Sequence, residues 1–150
     1  MALSKDQIKE YLSSTKKILL STVTDENKPD IRILGGFATD GFKLYFSSLR
    51  NSRKVSQIEA NPHVAVYFEA PNQQFPNYIN ATVYGKAKEV TCEKEIEKAI
   101  TLIKEKLPHF QWSSKKVIYL VKPQQVKIYN SSGEFAQDKL QIVDFDNKAE

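Results

Sequence analysis

Short strand-like runs separated by turn residues fill the sequence from Lys17 onward, and they limit the fold more than any other feature. Runs rich in β-branched and aromatic residues are broken by turn signals such as Asp40-Gly41 and Asn61-Pro62. Runs joined by such short connections pair as antiparallel strands. Strands are therefore predicted over residues 18–23, 30–38, 43–48, 63–70, 78–90, 117–121 and 125–129, with Pro123 marking a turn between the last two.

Helical periodicity is confined to three segments. Ser4 followed by Gln7 has the form of a capping box and predicts a short N-terminal helix. A second helix is predicted over residues 52–61, with Val55 and Ile58 facing inward. A third, strongly amphipathic helix is predicted over residues 92–107. Its expected buried positions are Ile96, Ala99 or Ile100, Ile103 and Leu107.

Chain length and composition fit one domain of this kind. With 150 residues and no linker-like stretch, residues 1–150 are predicted to form a single domain. Its class is α+β and mainly β: a six- or seven-stranded antiparallel split barrel with packing helices, since closing a sheet removes exposed strand edges. The one cysteine, Cys92, cannot form an intrachain disulfide, which favours a reducing, cytoplasmic location. No apolar run approaches the roughly 20 residues of a membrane span.

Charge is distributed unevenly along the chain. The net charge is +4, but residues 134–150 contain five acidic residues and two lysines and so carry −3. The preceding residues therefore carry +7. This excess suits an anionic partner, either a phosphorylated small molecule or nucleic acid, and it equally suits a solvated lysine-rich surface. The tail, residues 131–150, is expected to be an interface or a flexible extension. Its apolar part, residues 140–145, is expected to dock on the barrel or on a second subunit.

The second helix begins with an unusual concentration of positive charge. If Asn51 or Ser52 caps this helix, Arg53 and Lys54 lie in its first turn. The helix dipole already makes the potential positive there, so cations are disfavoured by a few tenths of a kcal/mol each. A bound phosphate would reverse that balance through backbone N–H groups, serine hydroxyls and cationic side chains. The alternative is that the two long side chains extend into water.

Two glycines interrupt a run that otherwise predicts a strand. Gly35 and Gly36 lie between an Ile-Arg-Ile-Leu segment and Phe37. Glycine weakens a strand interior, and its usual reasons there are a bulge or the close approach of a ligand to the backbone. Both readings stay open from the sequence: a simple bulge, or a planar ring lying against the chain.

The order of these features resembles the FMN-binding split β-barrel family, which includes the pyridoxamine 5'-phosphate oxidases and the single-domain general stress proteins. The resemblance rests on RILGGF at residues 32–37, LYFSS at 44–48, SRK at 52–54 and HVAVYF at 63–68. It extends over residues 17–85 and more loosely to residue 129. No single motif is diagnostic, and the ordered set carries the comparison.

The resemblance implies a set of FMN-binding positions. Arg32 would reach the cofactor phosphate, and the backbone of Ile33 and Leu34 would face the isoalloxazine ring. Asn80 would lie near the ring. Independently of the resemblance, the aromatic Trp112 would stack on the flavin, cap the site from the second subunit, or serve as a core or interface aromatic. Hydroxyls and the phosphate clamp would come from Ser47, Ser48, Ser52, Arg53 and Lys54.

Departures from the family pattern bear on the substrate. Phe37 stands where the first motif normally ends in lysine, so one cationic contact is missing. Ile79 and Thr82 stand where the oxidases have arginines, which argues against pyridoxamine phosphate as substrate. His63 and His109 have no neighbours with metal-ligand spacing, and no metal site is predicted.

Three functions follow from the sequence, in order of preference. The first is an FMN-dependent oxidoreductase acting on an unidentified small molecule, in a homodimer with flavin at the subunit interface. The flavin would carry the redox chemistry, so no acid or base is nominated. The second is a flavin-binding or stress-response module without turnover. Nucleic-acid binding comes last, because the cations cluster at one helix start instead of lining a face.

Overall fold

The computed structural model describes residues 2–131 and 139–145, which form three helices and eight strands. The longest helix has 14 residues, and none of the described helices is long and apolar enough to cross a membrane. In chain order the elements are α1 (Lys5–Ser14), β1 (Ile18–Val23), β2 (Pro29–Leu34), β3 (Phe37–Asp40), β4 (Lys43–Leu49), α2 (Arg53–Ala60), β5 (His63–Glu69), β6 (Ile79–Glu89), α3 (Glu93–Lys106), β7 (Lys116–Asn130) and β8 (Leu140–Asp144).

The strands form one antiparallel sheet in the order β2-β1-β5-β6-β7-β4-β3, and β8 pairs with β7 beside this path. Strands β2 and β3 follow each other in the chain but lie at opposite ends of the path. Because Leu34 and Phe37 are only three residues apart, the two ends must be within about 11 Å of each other, which forces the sheet to curl. The curled sheet with three helices confirms the predicted α+β split-barrel class.

The predicted strand over residues 30–38 is therefore wrong in one respect. Its two halves are separate strands, β2 and β3, and the chain crosses between the sheet ends at Gly35 and Gly36. The two glycines interrupt the run, but they are as compatible with a bulge inside one strand as with a break between two, so the sequence pattern alone does not show the break.

The interior of the curled sheet holds the main core. Alternate residues of the strands face it, and α1 and α2 close it with Ile8, Leu12, Val55 and Ile58, each no more than 3% exposed. Helix α3 packs on the other side of β3 and β4 through Ala99 and Ile103, within a second apolar cluster. Leu107, expected on the buried face of α3, is instead 40% exposed at the helix C-cap.

Strand β7 runs without a turn through Pro123, which corrects the prediction of two strands there. The pairing of β6 with β7 shifts register between Tyr84 and Gly85, so that Gly85 lies opposite Pro123 and Tyr84 opposite Gln125. A Cβ on Gly85 would lie 2.1 Å from the carbonyl oxygen of Lys122, so only glycine fits at this bulge. Proline is tolerated in a strand at such a position because its missing N–H is not needed for the ladder.

The described part of the tail docks on its own chain. Strand β8 pairs with β7 over residues 125–129, and the Phe145 ring lies edge-on against Phe42 with centroids 4.9 Å apart. The Gln141 amide exchanges two 2.9 Å hydrogen bonds with the backbone N–H and C=O of Leu3. Four of the five tail acids, at positions 134, 138, 146 and 150, lie outside the described residues.

Candidate functional site

The N-terminus of α2 is open to an external acceptor. Ser52 is the N-cap residue, yet within the described chain its hydroxyl makes no hydrogen bond to the α2 backbone. Its Oγ lies 2.9 Å from the Oγ of Ser48, at the end of β4. The backbone N–H groups of the first turn have no acceptor within the helix and lie at the positive end of the helix dipole. They are therefore available to an anion.

Arg32 is held against α2 by a network of polar groups. Its guanidinium donates to Thr22 Oγ1 (2.7 Å) and to Asp30 Oδ2 (3.0 Å). It also donates to Gln57 Oε1 at 3.1 Å, and the Gln57 amide donates to Asp30 at 3.1 Å. Gln57 lies one turn after Arg53 in α2, so this network fixes the position of Arg32 relative to the start of that helix.

The charges at this site are not balanced. Burial lowers the pKa of Lys54 below its usual value, and the positive charge of Arg32 lowers it further. The pKa of Asp30 is lowered, first by the hydrogen bond from Gln57 and then by the charges of Arg32 and Arg53. The carboxylate of Asp30 thus interacts with two cations, Arg32 and Arg53, and the half-buried Lys54 ammonium is left beside the Arg32 guanidinium. A phosphate group would relieve this repulsion.

Ser47 and Ser48 lie on opposite faces of β4, although both are predicted site residues. Ser48 is 6% exposed and meets Ser52 beside α2. Ser47 lies toward Gly36, whose carbonyl accepts a 2.8 Å hydrogen bond from the Ser47 N–H. The Ser47 hydroxyl is buried and has no hydrogen-bond partner among the described residues. Such an orphaned group is unusual and is compatible with an external partner.

Packing inside the chain does not require glycine at the strand crossing. A Cβ on Gly35 would meet no atom within 4 Å, and one on Gly36 would make an ordinary 3.6 Å contact with Phe110. The backbone beside Gly35 therefore has open space next to it. The unbalanced cations at the uncapped start of α2 fit a phosphorylated ligand. The Ser47 hydroxyl lies on the opposite face of β4 and is not part of that cluster.

Phe37 stands where the family normally has a lysine, and the cation nearest to its ring, Lys106, does not take over that lysine's contact with the site. Phe37 is 2% exposed and its ring belongs to the main core. The Lys106 ammonium lies 4.3 Å from the centre of that ring. It donates at 3.2 Å to the carbonyl of Ser13, and also to that of Thr15. Lys106 thus joins α3 to the end of α1, and the missing contact noted in the sequence is not replaced by it.

Asn80 and Trp112 lie apart from α2 in the fold. Asn80 is on β6, between Glu69 of β5 and Tyr129 of β7. Strand β6 is three strands from β2 in the sheet, a separation of about 14 Å. Trp112 packs with Phe110 in the second apolar cluster, beside α3. The structure brings Arg32, Ser48, Ser52, Arg53 and Lys54 together at α2, and it places these two residues elsewhere.

The outer face of the sheet carries exposed apolar side chains. Side chains alternate along β2, so Ile31 and Ile33 point away from the core, and they are 60% and 63% exposed. On β8, Leu140 and Ile142 are 45% and 49% exposed. We call the side of β2, β1, β5, β6, the second half of β7 and β8 that faces away from the main core the outer sheet face.

Sequence reasoning missed three residues of the α2 network: Thr22, Asp30 and Gln57. Two of them could have been found from spacing. Asp30 precedes Arg32 by two residues and shares its face of β2, and Gln57 follows Arg53 by four residues and shares its face of α2. Thr22 had no comparable signal, because its position depends on the pairing of β1 with β2.

Comparison with known proteins identifies the family. The model of the pyridoxamine 5'-phosphate oxidase family matches residues 4–130, which is most of the chain. The chain therefore belongs to the pyridoxamine 5'-phosphate oxidase family, which confirms the resemblance stated from the motifs.

Individual proteins resemble the chain in sequence or in fold. The pyridoxine/pyridoxamine 5'-phosphate oxidase of Leptospira interrogans is 30% identical over 91 residues, covering 59% of this chain and 42% of that protein. The chain thus matches less than half the length of this curated relative. A Listeria innocua protein assigned as a pyridoxamine 5'-phosphate oxidase superposes with a TM-score of 0.70 at 25% identity, over 83% of this chain and 96% of that one. An FAD-binding protein of Mesorhizobium loti shares the fold, with a TM-score of 0.68 at 19% identity over 84% of this chain and 94% of that one.

Proposed function

We propose that this protein binds FMN and acts as a flavin-dependent oxidoreductase on a small molecule. The observation that carries the proposal is the half-buried Lys54 beside Arg32 at the uncapped start of α2. A dianionic phosphate is the ligand that such a site is suited to hold. Family membership and the FAD-binding relative of the same fold support a flavin as the molecule that carries this phosphate.

Each residue of the site has a distinct part in this proposal. Arg32, Arg53 and Lys54 would neutralise the phosphate, and the hydroxyls of Ser48 and Ser52 would donate to its oxygens. The network of Thr22, Asp30 and Gln57 holds the Arg32 guanidinium in place, so less conformational freedom is lost on binding. FMN, when bound, supplies the electron acceptor and donor of the reaction.

A homodimer would complete the site. Asn80 is about 14 Å from β2 along the sheet, so a ring near Ile33 and Leu34 would meet an Asn80 from another subunit more readily than from its own. The exposed isoleucines of β2 and the exposed apolar residues of β8 give the outer sheet face the character of a subunit interface. Trp112 remains a prediction as a flavin contact.

Two measurements test this proposal in sequence. An absorption spectrum of the protein incubated with FMN and then desalted should show retained flavin bands, and a colourless protein at saturating FMN would contradict it. Stopped-flow reduction of the bound flavin by NADH or NADPH then separates an enzyme from a flavin-binding module without turnover. Rapid reduction of the bound flavin supports the oxidoreductase, whereas flavin that stays oxidised favours the binding module without turnover. The module would be consistent with the buried Phe37 at the position where the family usually has a lysine.

A further inference from the structure

The loop between β4 and α2 carries a third cation, Arg50, close in sequence to Arg53 and Lys54. Its guanidinium is bonded to the sheet. One nitrogen, Nη1, lies 3.2 Å from Oε2 of Glu89, at the end of β6. The other, Nη2, donates at 3.4 Å to the carbonyl of Lys116, at the start of β7. These partners give Arg50 a part different from that of the two cations in the first turn of α2.

Backbone hydrogen bonds fix the same loop. The Arg50 N–H donates to the carbonyl of Lys115 at 2.8 Å, and the Ser52 N–H donates to that of Leu49 at 3.1 Å. Ser52 is the N-cap residue of α2. Because only Asn51 separates Arg50 from this cap, the contacts of Arg50 determine where the first turn of α2 lies relative to the sheet.

The ion pair of Arg50 with Glu89 acts locally. Its side chains are 51% and 35% exposed, and pairs in such surroundings add little to the stability of the whole fold. Strand β6 pairs with β5 and β7, whereas β4 pairs with β7 and β3, so side chains alone make this link from the loop to β6. A phosphate needs donors at fixed positions, and a loop that is anchored beforehand loses less conformational freedom on binding.

We propose that Arg50 is a positioning residue of the phosphate site: together with Glu89 it holds the first turn of α2 in the geometry that receives the phosphate, without binding the phosphate itself. The phosphate ligand rests on the proposed flavin function. The anchoring of the loop is a property of the ligand-free protein, and it can be measured without flavin.

The variant Glu89→Gln separates positioning from simple attraction. It removes a negative charge near the site, so Coulomb attraction alone would strengthen FMN binding or leave it unchanged. Loss of positioning weakens FMN binding. We expect FMN affinity to fall about fivefold in Glu89→Gln and at least as far in Arg50→Gln. The double variant Arg50→Gln/Glu89→Gln should match Arg50→Gln, because Glu89 acts through Arg50.

Fluorescence titrations compare FMN with riboflavin, which lacks the phosphate. Riboflavin affinity should stay within about twofold of wild type in all three variants, because the anchored turn receives only the phosphate. The matched control is Asp40→Asn, which removes one carboxylate from the 2.7 Å ion pair with Lys98, of similar exposure. Asp40 lies opposite Lys43, about 20 Å along β4 from Leu49, so FMN affinity should not change.

Amide hydrogen exchange of the ligand-free protein measures the anchoring directly. The N–H groups of Arg50 and Ser52, which both donate hydrogen bonds in the loop, should exchange at least about threefold faster in Glu89→Gln than in wild type. Their exchange in Asp40→Asn should equal that of wild type.

Two binding results would overturn the positioning role. FMN affinity that is unchanged or higher in Glu89→Gln would leave attraction as the only effect of the pair, and a parallel loss of riboflavin affinity would indicate a general disturbance of the fold. Wild-type protein without a preference for FMN over riboflavin would overturn the flavin function. In that case the exchange rates decide alone: faster exchange in Glu89→Gln supports the anchoring by Arg50, and unchanged exchange contradicts it.

Discussion

At the start of α1, Ser4 Oγ accepts a 3.1 Å hydrogen bond from the Gln7 N–H, and the Gln7 side chain accepts a 2.8 Å bond from the Ser4 N–H. At the start of α2, the equivalent serine is Ser52, whose hydroxyl faces Ser48 instead of the helix. The first turn of α1 contains an acid, Asp6, whereas that of α2 contains none. The first helix is capped by its own side chains, whereas the second has no side-chain cap.

The same local motif, a serine at the helix N-cap, thus stabilises α1 but does not cap α2, where we propose that it serves ligand binding. Capping and acidic first-turn residues stabilise a helix, so their absence from α2 costs folding free energy that some other requirement must outweigh. The unfavourable position of Lys54 beside Arg32 adds to that cost. Sites that violate local rules in this way are the expected places for ligand binding. Four predictions test the contrast, beginning with the largest effect.

Removing both cations from the start of α2 should have the largest effect. Arg53→Ala/Lys54→Ala should weaken FMN binding by on the order of 100-fold, since charge-assisted hydrogen bonds are worth about 1.5–3 kcal/mol each. The matched control is Lys5→Ala/Lys94→Ala, which removes the cations at the first helical position of α1 and the second of α3. Fluorescence titration with FMN measures both variants. Equal losses of FMN affinity in the two double variants would contradict a special role for the start of α2.

The pH dependence of FMN binding should show the titration of Lys54. Its pKa is below the usual value in the free protein, and a bound phosphate raises it again. Affinity is therefore highest below the pKa of the free state and falls as the pH rises through it, by up to about tenfold per pH unit. Titrations above about pH 7.5 keep the FMN phosphate dianionic. In Lys54→Met the pH dependence of FMN affinity should disappear. A pH dependence that persists in this variant would mean that another group titrates.

Serine-to-alanine substitutions at the two caps should separate stability from binding. Ser4→Ala should lower the free energy of unfolding by about 1 kcal/mol, because it removes a capping box. Ser52→Ala should lower it by less, about 0.5 kcal/mol, because Ser52 does not cap its helix and loses only its hydrogen bond to Ser48. Urea denaturation without FMN provides the measurement. A loss at Ser52 as large as that at Ser4 would show that both serines serve stability.

Replacing the half-buried cation should stabilise the ligand-free protein slightly. The pKa of Lys54 is lower in the folded state than in the unfolded state, so its charge opposes folding below the folded-state pKa. Lys54→Met should therefore raise the free energy of unfolding near neutral pH by about 0.5 kcal/mol, while FMN affinity falls. The control Lys94→Met, at the same helical position in α3, should change stability less. Destabilisation by Lys54→Met would mean that this cation supports the fold.

Much of the fold followed from local patterns in the sequence. Periodicity located the three helices of residues 2–131, and the capping box at Ser4 placed the start of α1. Two errors had a nonlocal cause. The sequence predicts a turn at Pro123, but the register shift opposite Gly85 in the neighbouring strand accommodates the proline within β7. The sequence predicts one strand over residues 30–38, but closure of the sheet divides this run into β2 and β3.

The candidate site was predictable where motifs are contiguous. Ser52, Arg53 and Lys54 follow one another in the sequence, and in the structure Arg53 and Lys54 lie near Arg32, while their role in binding stays a prediction. The placement of Asn80 about 14 Å from β2 along the sheet was not predictable, because it depends on strand order. Pairing across strands also brings Arg50 to Glu89, which lies 39 positions further along the chain.

A comparison of FMN with riboflavin tests the central claim most directly, because the two molecules differ only by the phosphate. Wild-type protein should bind FMN at least about 100-fold more tightly than riboflavin. In Arg53→Ala/Lys54→Ala this preference should shrink to a few-fold, with riboflavin affinity unchanged. Equal affinity of the wild-type protein for both molecules would contradict the assignment of the α2 start as a phosphate site.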